Sequence, residues 1–279
     1  MDIASLKRKR NSLRYAPLVM AAVEIAAVLL IALGLRLPGA VLGTAALVGG
    51  IVYKSRGKKD YVNTCCRLQA IHALGLKNAE YLGKSKEEET WLGNMHLLPS
   101  SAQVTKPLVM HAVRGDMHGI PMWIAEVTMG CMENGKRQPT FSSGVMIRCT
   151  LENADFSRAL LLGRYAFKHA ALRNEYEKDA LRLAPAGGKE KGWYAMTENG
   201  RNPDALLMEK WQSVCDAAGM RAAMYVEGKE VKAFFNGNFY TGEFELEEEV
   251  TVMTLKRHSF AALVPFVEML EALRGEGKA

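Results

Sequence analysis

Apolar residues crowd into two nearly continuous runs near the start of the chain, Tyr15 to Leu35 and Leu37 to Tyr53, and afterwards thin out into short alternating stretches. The first run spans 21 residues with one charge, Glu24; the second spans 17 with none. About 20 apolar residues in a helix cross the hydrocarbon core, so the first run is long enough and the second sits at the short limit. Only Arg36 separates them, with Pro38 just after. Backbone cannot reverse inside lipid without exposing unpaired polar groups, so the turn belongs at an interface. The pattern predicts a helical membrane hairpin.

Orientation follows from Lys and Arg. Lys7, Arg8, Lys9, Arg10 and Arg14 precede the first run; Lys54, Arg56, Lys58 and Lys59 follow the second; the turn offers Arg36 alone. Positive flanks remain in the cytoplasm, which places both termini there. A cleaved secretory signal is the competing reading, but the first run exceeds the roughly 7–15 residues of a signal core, and a second run with a basic stop follows it.

In the second run Gly39, Gly43, Ala46 and Gly50 share one helical face, where small residues permit close helix approach. The face can serve the first span of the same hairpin or a second copy of the chain. Glu24 lies well inside the bilayer, where a carboxyl is costly and marks a candidate site. Counting from the turn puts Thr44 at similar depth, within hydrogen-bonding reach of a protonated Glu24.

Beyond the membrane, residues 60–81 carry helical spacing (Tyr61, Cys65, Leu68, Ile71 or His72), continuing the second span after a break at Gly57. Residues 83–106 read as irregular. PLVMHAV, PMWIAEVTMGCM and SSGVMIRCTL are strand-like, separated by Arg114-Gly115-Asp116 with Gly119 and by Glu133-Asn134-Gly135-Lys136, as in an antiparallel meander. A fourth strand is expected over Arg158 to Leu162. Residues 164–192 are charged and helix-compatible, with parts that suit a strand equally, and then read as an exposed loop. The segment 201–219 is the best-punctuated helix, with Asn202 as cap, Pro203 in the first turn, Asp204 complementing the dipole and Gly219 as stop. A hairpin turning at Gly228-Lys229 follows. Next comes an alternating strand whose Glu243, Glu245 and Glu247 form a wet face, and then a helix from about Ser259 to Arg274.

The expected class is therefore α+β: an N-terminal transmembrane helical hairpin (1–57), a juxtamembrane helix and linker (58–100), and a cytoplasmic domain (101–279). That domain would carry an antiparallel β-meander, a helix plus β-hairpin and a C-terminal helix, as one body or as lobes 101–165 and 190–279.

Charge changes the picture only when divided. The net +6 hides 10 Lys/Arg against 3 Asp/Glu in residues 1–60, leaving 26 against 27 for the remainder. The basic excess is juxtamembrane, where it can attract anionic headgroups. The near-neutral remainder lacks the footprint of a nucleic-acid binder. Cys65, Cys66, Cys131, Cys149 and Cys215 are odd in number and scattered, as befits reduced thiols.

No GxGxxG, P-loop, GxSxG or HExxH occurs. His72, His96, His111, His118, His169 and His258 have no metal-ligand spacing; His111 and His118 flank one expected turn but lack a third ligand. Arg114-Gly115-Asp116 spells an adhesion tripeptide that turn chemistry explains equally well. Trp123, Trp193, Trp211, Phe234, Phe235 and Tyr240 read as core. No catalytic, metal or cofactor residue is assigned.

The order of elements, with Phe141 to Val145 reading FSSGV near the third strand, Trp193-Tyr194 in a later strand and the helix and hairpin of Asn202 through Tyr240, resembles a bacterial membrane-protein family known as domain of unknown function 3137. That resemblance implies a membrane hairpin with a cytoplasmic α+β region. It brings no activity and no catalytic residues. The functional expectation is a membrane-anchored, non-enzymatic scaffold or recruitment module with lipid contacts and a protein partner or second copy. The alternatives are a membrane-surface enzyme and an accessory subunit of a membrane complex.

Overall fold

The computed structural model describes residues 3–83, 97, 104–133, 136–166, 184–186, 192–237, 246, 249–251, 253 and 262–276. The chain forms two compact units, one of residues 1–68 with 243–256 and one of residues 69–242 with 257–279.

The first unit is built on the hairpin. Helix α1 covers Ile3–Ala32 and α2 covers Arg36–Leu74. The turn between them is closed by a Schellman motif, in which Leu35 N–H donates to Leu30 C=O and Gly34 N–H to Ile31 C=O. Gly34 takes the left-handed conformation that motif requires, at φ 87°. Both runs expose large apolar side chains, including Leu18 at 67%, Val28 at 64%, Leu37 at 77% and Val41 at 61%. A core helix of a water-soluble protein would bury them; lipid solvates them. The two helices span the membrane, with the rest of the chain on the side of the basic flanks.

Two expectations fail here. α2 passes through Gly57 without a break, because Leu13 of α1 packs into the space a Cβ would fill. The helix then stops at Leu74, where Gly75 turns left-handed at φ 67°. Residues 77–81, expected to be helical, belong to a strand.

The second unit is one antiparallel sheet. Its strands are β1 (Lys77–Gly83), β2 (Val104–Met117), β3 (Ile120–Glu133), β4 (Lys136–Thr150), β5 (Phe156–Gly163), β6 (Ala184–Pro185), β7 (Trp193–Thr197), β8 (Ala222–Gly228) and β9 (Glu230–Asn236). The spatial order is β1-β2-β3-β4-β9-β8-β5-β7-β6. Pairing of β4 with β9, from Gly144 opposite Asn236 to Thr150 opposite Glu230, joins the meander to the later hairpin, so strands of both suggested lobes share one sheet.

The tripeptide Arg114-Gly115-Asp116 lies within β2, opposite Trp123, Met122 and Pro121. The actual turn is His118-Gly119, both left-handed at φ 51° and 80°, as a type I′ hairpin demands. Asp116 helps close it by accepting the Gly119 N–H at 2.7 Å.

Helices α3 (Ala205–Ala217) and α4 (Leu263–Glu276) pack on one sheet face. The cap of α3 is Asp204 rather than Asn202, its carboxylate accepting from Leu206 N at 2.9 Å and Leu207 N at 3.1 Å. Asn202 stands two residues too early. At the other end, Met220 N–H to Cys215 C=O and Gly219 N–H to Asp216 C=O form a second Schellman motif. Leu207, Trp211, Val214, Phe266, Met269 and Leu270 meet Val145, Ile147, Met224, Ala233 and Phe235. Phe266 stands edge-on to Phe235 at 5.5 Å.

The intervening positions, including Met146, Phe234, Tyr225, Leu160 and Leu162, are buried on the opposite face with Leu97 and Ala166. Both faces are therefore apolar, which is why β8 buries five successive residues from Ala222 to Val226. Tyr240, Glu243, Glu245, Glu247 and most of the helix-compatible 164–192 stretch lie outside the described residues, while the described residues of the expected strand over 244–253, namely 246, 249–251 and 253, are not in a strand.

Candidate functional site

Small residues set the geometry of the hairpin. A Cβ on Gly39 would lie 2.6 Å from Ile31 Cγ1 and 2.7 Å from the Ala27 carbonyl oxygen, and one on Gly43 would lie 3.5 Å from Ala27 Cβ. Gly50 faces Met20 and Gly57 faces Leu13. On α1, Leu6, Leu13, Met20 and Ala27 recur every seven residues, and Gly43, Gly50 and Gly57 do so on α2. This is the seam of a left-handed antiparallel pair. The face of Gly39, Gly43, Ala46 and Gly50 is turned towards the first span of the same chain.

Glu24 is half-buried at the margin of this seam, and Thr44 is exposed on α2. Among the described residues neither side chain makes a hydrogen bond or ion pair. The basic flanks form the cytoplasmic end of the same helix pair. Lys7 pairs with Glu249 at 2.8 Å and Lys9 with Asp60 at 3.4 Å, while Ser12 and Tyr53 hydroxyls hydrogen-bond at 2.5 Å. Arg10 is partly buried, whereas Arg8, Arg14, Lys54, Arg56, Lys58 and Lys59 are exposed, beside the interfacial Tyr15 and Tyr53. Six exposed cations within a few turns of the bilayer make a lipid-facing collar.

In the sheet unit, sequence reasoning missed a charged row on the face opposite the helices. Arg148 of β4 lies opposite Lys232 of β9, which lies opposite Tyr225 of β8. Glu230 accepts from Arg148 at 2.5 Å and from Lys232 at 2.9 Å, and the Lys232 ammonium stands 5.8 Å from the Tyr225 ring centroid. Tyr225 donates to Glu227 at 2.8 Å. Lys232 is only 6% exposed, so its charge needs these partners. Burial pushes the Glu230 carboxyl up, but hydrogen bonds and charge from Lys232 and Arg148 outweigh this and hold its pKa below the usual range. The Glu230 carboxylate is committed to two cations. Alternation of Arg148 and Lys232 with apolar neighbours was visible in sequence; the register that unites them was not.

A second cluster sits near the β1 edge. His111 adopts φ 53°, a rare conformation for a non-glycine residue, at the bulge between the Met110–Glu126 and Val113–Ile124 pairs. Its Nδ1 is 3.1 Å from the Tyr81 hydroxyl. Burial lowers the His111 pKa, and the charge of Glu126 opposes that shift. His118 instead bonds Glu271, and its carbonyl accepts from Arg274. The two histidines that flank the expected turn thus serve different neighbours. No group of metal-ligating side chains occurs among the described residues.

Cys65, Cys66, Cys149 and Cys215 are free and buried. Burial raises the pKa of the Cys149 and Cys215 thiols. Such thiols carry little thiolate and are poor nucleophiles.

No protein-family model matches the chain, and no curated protein matches it. Among solved structures, the chain is similar to the crystal structure of the mycobacterial trehalose monomycolate transport factor A, TtfA. The TM-score is 0.32 at 8% identity, over 74% of this chain and 94% of that one. A likeness of that depth carries no inference about activity.

Proposed function

We propose that this membrane-anchored protein is a non-enzymatic recruitment module whose sheet unit binds a protein partner at the β1 edge. One observation carries the reading: among the described residues, β1 is a terminal strand of a nine-stranded sheet, and it begins three residues after α2, the second membrane helix, ends. An edge strand offers backbone N–H and C=O groups to an extended segment of another chain. The half-buried Tyr81 and Leu82 at its far end supply side-chain contacts. Commitment of Glu230 to two cations, and burial of the thiols, support a structural rather than a chemical role for those groups. The order of elements also supports kinship with domain of unknown function 3137.

The test is a photo-crosslinker placed at Leu82 in native membranes, with Glu209 on the exposed side of α3 as the control position. A single defined partner captured at Leu82 and missed at Glu209 is the expected result. Equal capture at both positions, or recovery of the protein alone, refutes the reading.

A membrane-surface enzyme is the second reading, favoured by the left-handed His111 and its Tyr81 partner, since strained backbone concentrates at functional sites. His111→Gln and Tyr81→Phe should then each abolish the cellular phenotype at normal protein levels. Retention of the phenotype removes that reading.

A further inference from the structure

We infer that the hairpin face carrying Glu24 and Thr44 binds a second copy of the chain within the membrane, Glu24 of each protomer hydrogen-bonding Thr44 of the other. The glycine face cannot serve this purpose, because Ile31, Ala27, Met20 and Leu13 already occupy it. The two polar side chains deep in the spans are left over: Glu24 half-buried, Thr44 exposed, neither with a hydrogen bond among the described residues. In lipid there is no water to satisfy them, so each gains from a partner outside its own chain.

Their placement makes them each other's complement. The contacts Ala27–Gly43, Met20–Gly50 and Leu13–Gly57 step by seven residues in opposite directions, which sets Glu24 level with Ala46. Thr44 is two residues away, about 3 Å in depth. At about 100° per residue, Glu24 lies about 60° round α1 from the Ala27 contact line, and Thr44 about 100° round α2 from the Gly43 line. Because the helices are antiparallel, both rotations lead to the same side of the plane holding the two axes. A copy turned by a two-fold axis along the membrane normal then lays its α2 over α1 and its α1 over α2. Glu24 meets the partner's Thr44 at matching depth, and the same contact recurs by symmetry. A hydroxyl both donates and accepts, so it suits the carboxyl in either role. Ala40, one turn before Thr44 and also exposed, leaves room for the approach.

The experiment uses the full chain in nanodiscs or bicelles and reads self-association as protein is diluted in lipid. The wild type should be dimeric. Glu24→Ala and Thr44→Val should each weaken the dimer about tenfold, as loss of two interhelical hydrogen bonds does in a bilayer, while Glu24→Gln, which can still bond threonine, should stay near wild type. With Glu24 and Thr44 intact, copies bearing Val28→Cys should crosslink to copies bearing Ala40→Cys, whereas copies bearing Leu29→Cys, on another face, should not. A wild type monomeric at every dilution, an unaffected Glu24→Ala dimer, or Leu29→Cys crosslinking as well as Val28→Cys overturns the inference. None of these readouts depends on what the β1 edge recruits.

Discussion

Alanine substitutions at three glycines of α2 separate helix packing from helix propensity. At Gly39 the new Cβ would stand 2.6 Å from Ile31 Cγ1 and 2.7 Å from the Ala27 carbonyl oxygen. A carbonyl in a helix cannot rotate aside, so α1 and α2 must part. At Gly50 the obstacle is the Met20 thioether, which has three rotatable bonds and can swing away. At Gly49 nothing lies within 4 Å. All three changes share the gain of alanine over glycine in a helix, about 1 kcal/mol. Their differences therefore report contact alone. Overpacking costs about 1–3 kcal/mol, so Gly39→Ala should be less stable than Gly49→Ala by that amount, with Gly50→Ala nearer Gly49→Ala. Energy transfer between dyes at Asn11 and Ser55, both exposed on adjoining helices, follows separation of the pair as SDS is titrated into bicelles. The reasoning fails if Gly49→Ala is as damaging as Gly39→Ala.

Asp204→Ala should cost about 1 kcal/mol of stability in denaturant unfolding, because two backbone N–H groups lose their acceptor, and Asn202→Ala should cost less; the reverse order would return the cap to Asn202. His111 should make stability pH-dependent. Its folded pKa lies below the ordinary 6.5, so the unfolded chain takes up a proton first and stability falls as pH drops below about 6.5; His111→Phe should flatten that portion of a melting-temperature profile. Cys65, Cys149 and Cys215 should react with maleimide only after denaturation, and rapid labelling of the folded protein at neutral pH would contradict their burial.

Most elements were legible because their signals are local. The apolar runs, the Gly228-Lys229 turn and the Gly219 stop each depend on a few adjacent residues. The failures mark places where distant contacts decide. Gly57 reads as a break because glycine weakens an isolated helix; beside Leu13 the same missing side chain keeps the helix packed. Residues 77–81 have helical spacing, but β2 provides a strand edge and Gly75 the exit. Asn202 and Asp204 are both good caps, and the choice depends on where Leu207 and Trp211 must point to reach the core. The row of Arg148, Glu230, Lys232 and Tyr225 depends on the register of three strands, two of them far apart in sequence from the first. No pattern in one segment encodes that.

The division of charge carries the same logic to function. Within the sheet unit, opposite charges are neighbours: Arg114 with Glu80 at 2.6 Å, Arg148 with Glu230 at 2.5 Å, Lys229 with Glu152 at 3.2 Å and Arg158 with Glu198 at 3.6 Å. Exposed pairs of this kind add little stability, but they cancel one another's field beyond a Debye length of about 8–10 Å. From the paired charges of the sheet unit itself, a partner at the β1 edge meets almost no long-range steering. Its association rate should therefore fall in the unsteered range and change little with salt. The collar of Arg8, Arg14, Lys54, Arg56, Lys58 and Lys59 has the opposite character, and its hold on anionic headgroups should weaken steeply with salt. Ionic strength thus separates the two kinds of contact. Recruitment that disappears in moderate salt while the protein stays in the membrane would mean that the partner reads the collar, not the strand edge.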